Sequence, residues 1–199
     1  MPRASNLGRK FPAELLTREE IGALMKSCSR RAPTGLRNRA LIATMYRAGL
    51  RCQEALELRL RDVDRDAGTI RIRRGKGGKA RSVGVDPSAL AVIEQWIGAR
   101  AKLGLNGGPL FSTLAGGELA TSYVRTLLPR LGRKAGIERR VHPHGLRHSF
   151  ATELAKEGIP VPVIQLALGH SSLATTTVYL KGLGSQDVID AMRGRDWTA

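Results

Sequence analysis

Cysteine is nearly absent from this chain of 199 residues, with Cys28 and Cys52 as its only two. Two isolated thiols cannot build a disulfide framework or a four-ligand zinc site, and both are expected to be buried as small hydrophobes. Aromatic residues are sparse as well, at 4% of the chain against 42% hydrophobic overall, so Leu, Ile, Val and Ala must supply most of the core. That apolar content is enough to fold, and the length suits one domain, or a domain with a tail. No apolar run approaches the roughly 20 residues that span a bilayer. The opening Met1-Pro-Arg-Ala-Ser-Asn-Leu-Gly-Arg-Lys10 has no hydrophobic signal core, so a cytoplasmic location away from membranes is expected.

Acid is the other scarce ingredient. Seventeen Asp and Glu face 33 Lys and Arg, giving a formal net charge of +16, and 25 of the bases are Arg. Arginine makes the planar, bidentate contacts that phosphates favour. The bases are also segregated. Seven lie between Glu20 and Glu54 and six between Asp66 and Asp86, with no acid in either stretch. Seven more lie between Glu118 and Glu153 with Glu138 as the single acid. A uniformly solvated basic surface does not produce such blocks, so a polyanionic partner is expected.

Periodicity outlines a mainly helical fold with one small antiparallel sheet. Residues 1–12 mix Pro, Gly, Asn and bases without period and read as a tail or linker. Thr17-Arg-Glu-Glu20 is a capping box, and Ile21, Leu24, Met25 and Cys28 follow at helical spacing. Leu41, Met45 and Ala48 mark a second helix closing near Gly49, and Arg51 to about Leu58 a short third. Thr69–Arg73 and Arg81–Val85 alternate with period two around Gly75-Lys-Gly-Gly-Lys79, predicting a hairpin with a lysine-bearing tip. Asp86-Pro87 opens a helix to about Ala101. Thr121 can cap another, which Pro129 should kink or interrupt. Further helices are predicted over 144–156, 162–168, 173–180 and 186–192.

Three of the four histidines crowd into Val141-His-Pro-His-Gly-Leu-Arg-His148. The i, i+4 pair His144 and His148 could share a metal ion, but no acid or cysteine stands near them in sequence, and Arg147 would repel a cation. A purely structural role is the other alternative. Downstream, Leu168-Gly-His170 precedes Tyr179 by nine residues, in a chain with only three tyrosines. A nucleophilic tyrosine needs a phosphate held by cations and a proton acceptor, because its ordinary pKa is near 10. A half-buried aromatic near a helix end is the alternative for Tyr179.

Taken in order, these segments resemble the tyrosine recombinase (phage integrase) family. Gly49-Leu-Arg-Cys-Gln-Glu-Ala-Leu-Glu-Leu58 is similar to its first arginine motif, and Gly75-Lys76-Gly-Gly-Lys79, with Arg81 and Val83, to its hairpin lysine motif. His144-Gly-Leu-Arg147-His148-Ser-Phe-Ala-Thr152 is similar to the second arginine box. Leu168-Gly-His170-Ser-Ser-Leu-Ala-Thr-Thr-Thr-Val-Tyr179 is similar to the nucleophile box. The resemblance spans about Leu15 to Tyr179. It implies the DNA breaking-rejoining fold, with a linker over 1–12, the catalytic domain over 13–184, and over 185–199 a C-terminal segment for exchange between protomers.

The resemblance also implies roles. Tyr179 would attack a DNA phosphodiester to give a 3′-phosphotyrosyl bond and a free 5′-hydroxyl. Arg51 and Arg147 would hold the non-bridging oxygens. Lys76, with Lys79 as its neighbouring rival, would protonate the leaving oxygen. His144 would accept a proton from Tyr179 or orient it, and His170 would hydrogen-bond the phosphate. Glu54 would orient an arginine, or is simply a surface acid. Arg73, Arg74, Lys79, Arg81, Arg139 and Arg140 would contact DNA. No cofactor and no metal are called for. Double-stranded DNA is the implied partner, with the protein monomeric in free solution and a homo-tetramer on DNA. Relatives usually carry an N-terminal helical domain, whereas here Gly8-Arg-Lys-Phe-Pro12 resembles only the interdomain linker; a natural single-domain recombinase and an excised fragment both fit. Two rivals remain: a type IB topoisomerase-like nicking-closing enzyme, and a DNA-binding regulator without catalysis. Val188, Ile189 and Met192 share one face of the last predicted helix, which needs an apolar groove on a neighbouring subunit or on its own domain.

Overall fold

The computed structural model describes residues 15–73 and 80–169, together with Ile189 and Arg193. Seven helices and a three-stranded sheet occur among the described residues: α1 (Arg18–Ser27), α2 (Pro33–Arg47), α3 (Cys52–Leu56), β1 (Val63–Asp64), β2 (Thr69–Ile72), β3 (Arg81–Gly84), α4 (Pro87–Lys102), α5 (Thr121–Lys134), α6 (Pro143–Lys156) and α7 (Val161–Leu168). The expected mainly helical class with a small antiparallel sheet is what the chain forms. The helices predicted over 173–180 and 186–192 lie outside the described residues, apart from the isolated Ile189.

α2 is the central element. Ala40 to Tyr46 are all buried, so the helix is enclosed on every side, as its nearly polar-free run Ala-Leu-Ile-Ala-Thr-Met-Tyr allows. α4 and α6 pack on it, and α1 packs on α5. The sheet, in the order β1-β2-β3, buries Ile70, Ile72 and Val83. β2 and β3 pair antiparallel in the register Ile70 with Val83 and Ile72 with Arg81, so the residues on either side of segment 74–79 are brought together.

Local chemistry explains most helix starts. The Thr17 hydroxyl accepts from the Glu20 amide at 3.2 Å while Glu20 accepts from the Thr17 amide at 2.8 Å, the expected reciprocal box. Asp86 caps α4 through the Ala89 amide at 3.1 Å, ahead of Pro87. Other expectations need correction. Thr121 is the first residue of α5 rather than its cap; Ala120 holds the cap position and makes no side-chain bond. Pro129 does not interrupt α5, although an interior proline costs about 3 kcal/mol. The buried face of Val124, Leu127, Leu128 and Leu131 offsets that cost. α3 is shorter than Arg51–Leu58, and α2 begins at Pro33, earlier than its apolar marks. β1 and the 3-10 turn at Leu60–Asp62 had no expectation, being too short for any period to register. Cys28 is buried, but Cys52 is only half-buried.

Several of the arginines turn inward. Arg37, 4% exposed, donates to the Ser112 carbonyl at 2.9 Å and stacks on Tyr123. Arg39 donates to the Met25 carbonyl, and Arg47 bridges Asp86 at 2.8 Å and Glu153 at 3.1 Å. Buried Arg100 donates to the Gly107 carbonyl at 2.7 Å.

Candidate active site

The site grows from the turn between α2 and α3. Gly49 adopts φ +62°, a conformation that side chains disfavour, and a Cβ there would meet the Phe150 ring at 2.5 Å. This turn sets Arg51 at the cap of α3 in extended conformation. One turn on, Glu54 reaches back: its Oε2 accepts from the Arg51 amide at 2.8 Å and its Oε1 from Arg51 Nη1 at 2.7 Å. Spacing of three residues at a helix start makes that pairing local and automatic.

Two more arginines arrive from far along the chain. Arg81, the first residue of β3, donates Nη1 to Glu54 Oε1 at 3.0 Å and Nη2 to Oε2 at 2.8 Å, a bidentate fork. Its Nε donates to the Ala167 carbonyl near the end of α7 at 3.2 Å. Arg147, from within α6, donates to the carbonyls of Gly49 and Leu168, and its Nη1 lies 3.8 Å from Glu54 Oε2. The side chains are 23% (Arg51), 12% (Arg81), 5% (Glu54) and 1% (Arg147) exposed. Burial alone would raise the Glu54 pKa, but donation from Arg81 and from the Arg51 backbone and side chain holds it down to about 2. Three guanidiniums around one carboxylate leave an excess of positive charge, with Arg51 the most open of the three. Such an arrangement attracts an anion with delocalised charge.

The three histidines divide their tasks. His142 caps α6, its Nδ1 accepting from the Gly145 amide at 3.2 Å. His144, in the first turn of α6, keeps an exposed face. The atoms crowding its ring, and then the Arg147 and Arg51 cations, lower its pKa below the ordinary value, which favours the neutral ring, the form that can accept a proton. His148 stands one turn further, 6.3 Å from His144 between ring centroids, and burial followed by His144, His142 and Arg147 lowers it to about 4. Among the described residues no three His, Cys, Asp or Glu are placed to share a metal ion.

Arg51, Glu54, His144 and Arg147 are therefore brought together. Lys76, His170 and Tyr179 lie outside the described residues, as do Arg74 and Lys79. Among the expected DNA contacts, Arg73 pairs with buried Asp62, and Arg139 donates to the Leu15 carbonyl at 2.9 Å and bridges Glu20 at 3.3 Å. Arg140 is exposed. Arg81 stands out, because its guanidinium faces Glu54 and not solvent. Sequence reading missed this, since partners 27 and 86 residues apart leave no local trace.

Residues 14–183 match the phage integrase family, and the chain belongs to that family. It is 40% identical over 178 residues to the tyrosine recombinase XerC of Halalkalibacterium halodurans, covering 86% of this chain and 58% of that protein. It is 41% identical over 175 residues to the tyrosine recombinase XerA of Thermococcus kodakarensis, covering 86% of this chain and 60% of that protein. The chain thus spans little more than half the length of these curated relatives. Among solved structures, the crystal structure of XerA recombinase superposes with a TM-score of 0.82 at 28% identity, covering 96% of this chain and 69% of that one. The fold is that of tyrosine recombinase catalytic domains.

Proposed function

We propose that this chain cleaves and rejoins double-stranded DNA as a site-specific recombinase working through a 3′-phosphotyrosyl intermediate. The carrying observation is the convergence of Arg51 and Arg147, 96 positions apart in the sequence, on Glu54, with His144 close enough to feel both cations. Family membership supports it. So does the relative XerH, 29% identical over a fold with TM-score 0.76, whose structure holds the difH substrate in a post-cleavage complex. In this reading the Tyr179 oxygen attacks phosphorus as the bond to the 5′-oxygen breaks. The tyrosine proton passes toward His144, and Lys76 delivers a proton to the departing 5′-oxygen. Arg51 and Arg147 hold the non-bridging oxygens, for which Arg147, covered here, has to become accessible when DNA binds. His170 adds a hydrogen bond to the phosphate. The bond energy stays in the phosphotyrosyl ester, so rejoining needs neither metal nor nucleotide. A monomer that assembles as a tetramer on DNA, in the cytoplasm, completes the reading.

The test is covalent trapping of the chain on a library of nicked duplexes, with detergent-resistant adducts counted and sequenced. We expect adducts in excess chelator, and none with Tyr179→Phe. Adducts that persist in that variant overturn the reading, and so does their absence from the unaltered chain. Relaxation of supercoiled plasmid without exchange between two trapped sites would assign a nicking-closing enzyme instead.

A further inference from the structure

The last turn of α7 ends against two arginines. A helix C-terminus leaves carbonyls without intrahelical partners and carries partial negative charge. Here the Ala167 carbonyl accepts from Arg81 Nε at 3.2 Å and the Leu168 carbonyl accepts from Arg147. Gly169 then turns the chain at φ +62°, and a Cβ on it would meet the Arg81 guanidinium at 2.8 Å. Arg81 and this turn are thus packed directly on one another, one residue before His170 in the sequence. The Nη1 and Nη2 edge of the same guanidinium donates to both oxygens of Glu54, at 3.0 and 2.8 Å.

We propose that Arg81 is a positioning residue of the cleavage reaction rather than a DNA contact. Its fork fixes the Glu54 carboxylate, which in turn fixes the Arg51 guanidinium, while its Nε fixes the end of α7. The inference rests on the proposed phosphotyrosyl chemistry. A planar fork can hold a carboxylate in only one plane. With Oε1 and Oε2 both anchored, Oε1 meets Arg51 Nη1 at 2.7 Å in a single orientation. Removing the fork would leave Glu54 held only by the Arg51 amide and Nη1, able to tilt toward Arg147, 3.8 Å away, and to carry the Arg51 guanidinium with it. Arg81 is hydrogen-bonded to a carboxylate, whereas Arg147 donates to the carbonyls of Gly49 and Leu168, so a phosphate contact by Arg81 would have to separate a bidentate ion pair.

The test uses the full chain and variants Arg81→Ala, Arg81→Lys and Arg51→Ala on trapped sites. Each is assayed with an ordinary scissile phosphate and with a methylphosphonate, which lacks one negative oxygen and so depends less on cationic clamping. Folded fraction is monitored at the assay temperature. Displacing a catalytic group by about an ångström costs on the order of 10²-fold in rate. We expect cleavage of the phosphate by Arg81→Ala to fall by about that factor, with unchanged DNA affinity and salt dependence. On the methylphosphonate we expect its deficit to shrink roughly tenfold, in parallel with Arg51→Ala. Arg81→Lys keeps the charge but not the fork and should recover only part of the rate. It carries the same comparison if the alanine variant does not fold. A salt slope reduced by about one unit would make Arg81 a phosphate contact. Equal deficits on the two substrates would make its role one of stability only. Either result overturns the proposal. If Arg51→Ala itself shows no difference between substrates, the proposed phosphate clamp fails, and the Arg81 inference with it.

Discussion

Glu54 is the residue on which the site turns. Burial works against its charge, and only the Arg81 fork and the Arg51 donors keep it ionised down to about pH 2. A carboxylate whose pKa is lower folded than unfolded contributes stability above its unfolded value, 4.5, and loses it as pH falls through about 2. Removing one partner of a buried ion pair costs about 3–5 kcal/mol. We expect Glu54→Gln to lose stability of that size at pH 7 in urea unfolding. The gap should narrow as pH drops from 4.5 toward 2, where the protonated wild-type side chain comes to resemble the amide. A gap that stays constant across this range would show that Glu54 is not held ionised by its arginines.

At the scale of elements, the site is a junction of three helix ends and a strand. The turn before α3, the start of β3, the first turns of α6 and the end of α7 all meet within the reach of Arg147 and Arg81. Gly49 is the narrowest point of that junction. Its left-handed conformation costs a side chain about 1–2 kcal/mol, and the Phe150 ring leaves no room for a methyl group. With overpacking adding about 1–3 kcal/mol, we expect Gly49→Ala to lose about 2–5 kcal/mol in denaturant unfolding. Trapping should also fall at temperatures where the variant remains folded, because the Gly49 carbonyl anchors Arg147 and the following residues carry Arg51. Unchanged stability would mean that Phe150 and the turn relax together without cost.

Across the whole molecule, the charge of +16 is unevenly available. Arg37, Arg47, Arg100 and Arg147 are committed to carbonyls or acids within the fold, so composition overstates the basic surface. Other bases stay exposed, among them Arg30, Arg31, Arg125, Arg130 and Arg140. A protein that makes 6–10 phosphate contacts loses about 10³–10⁵ in affinity between 50 and 200 mM salt. We expect that range for duplex binding, measured by fluorescence anisotropy across a salt titration. A flat response would count against DNA as the partner of the basic blocks. Among the described residues no helix is long and apolar enough to cross a membrane.

The sequence by itself determined whatever depends on neighbours a few residues apart. The Thr17 and Asp86 caps, the β2–β3 pairing and the Arg51–Glu54 contact all follow from spacings within one turn or one hairpin. The ordered motifs likewise pointed to the family, because residue identity in order survives without coordinates. Tertiary structure alone decided which arginines face inward and what they hold. Arg81 closes on a carboxylate 27 residues earlier and a carbonyl 86 residues later. A guanidinium pairs with whichever acceptor the fold places within about 3 Å of it. That choice is made by the packing of α2, α6 and α7, and no local pattern in the chain encodes it.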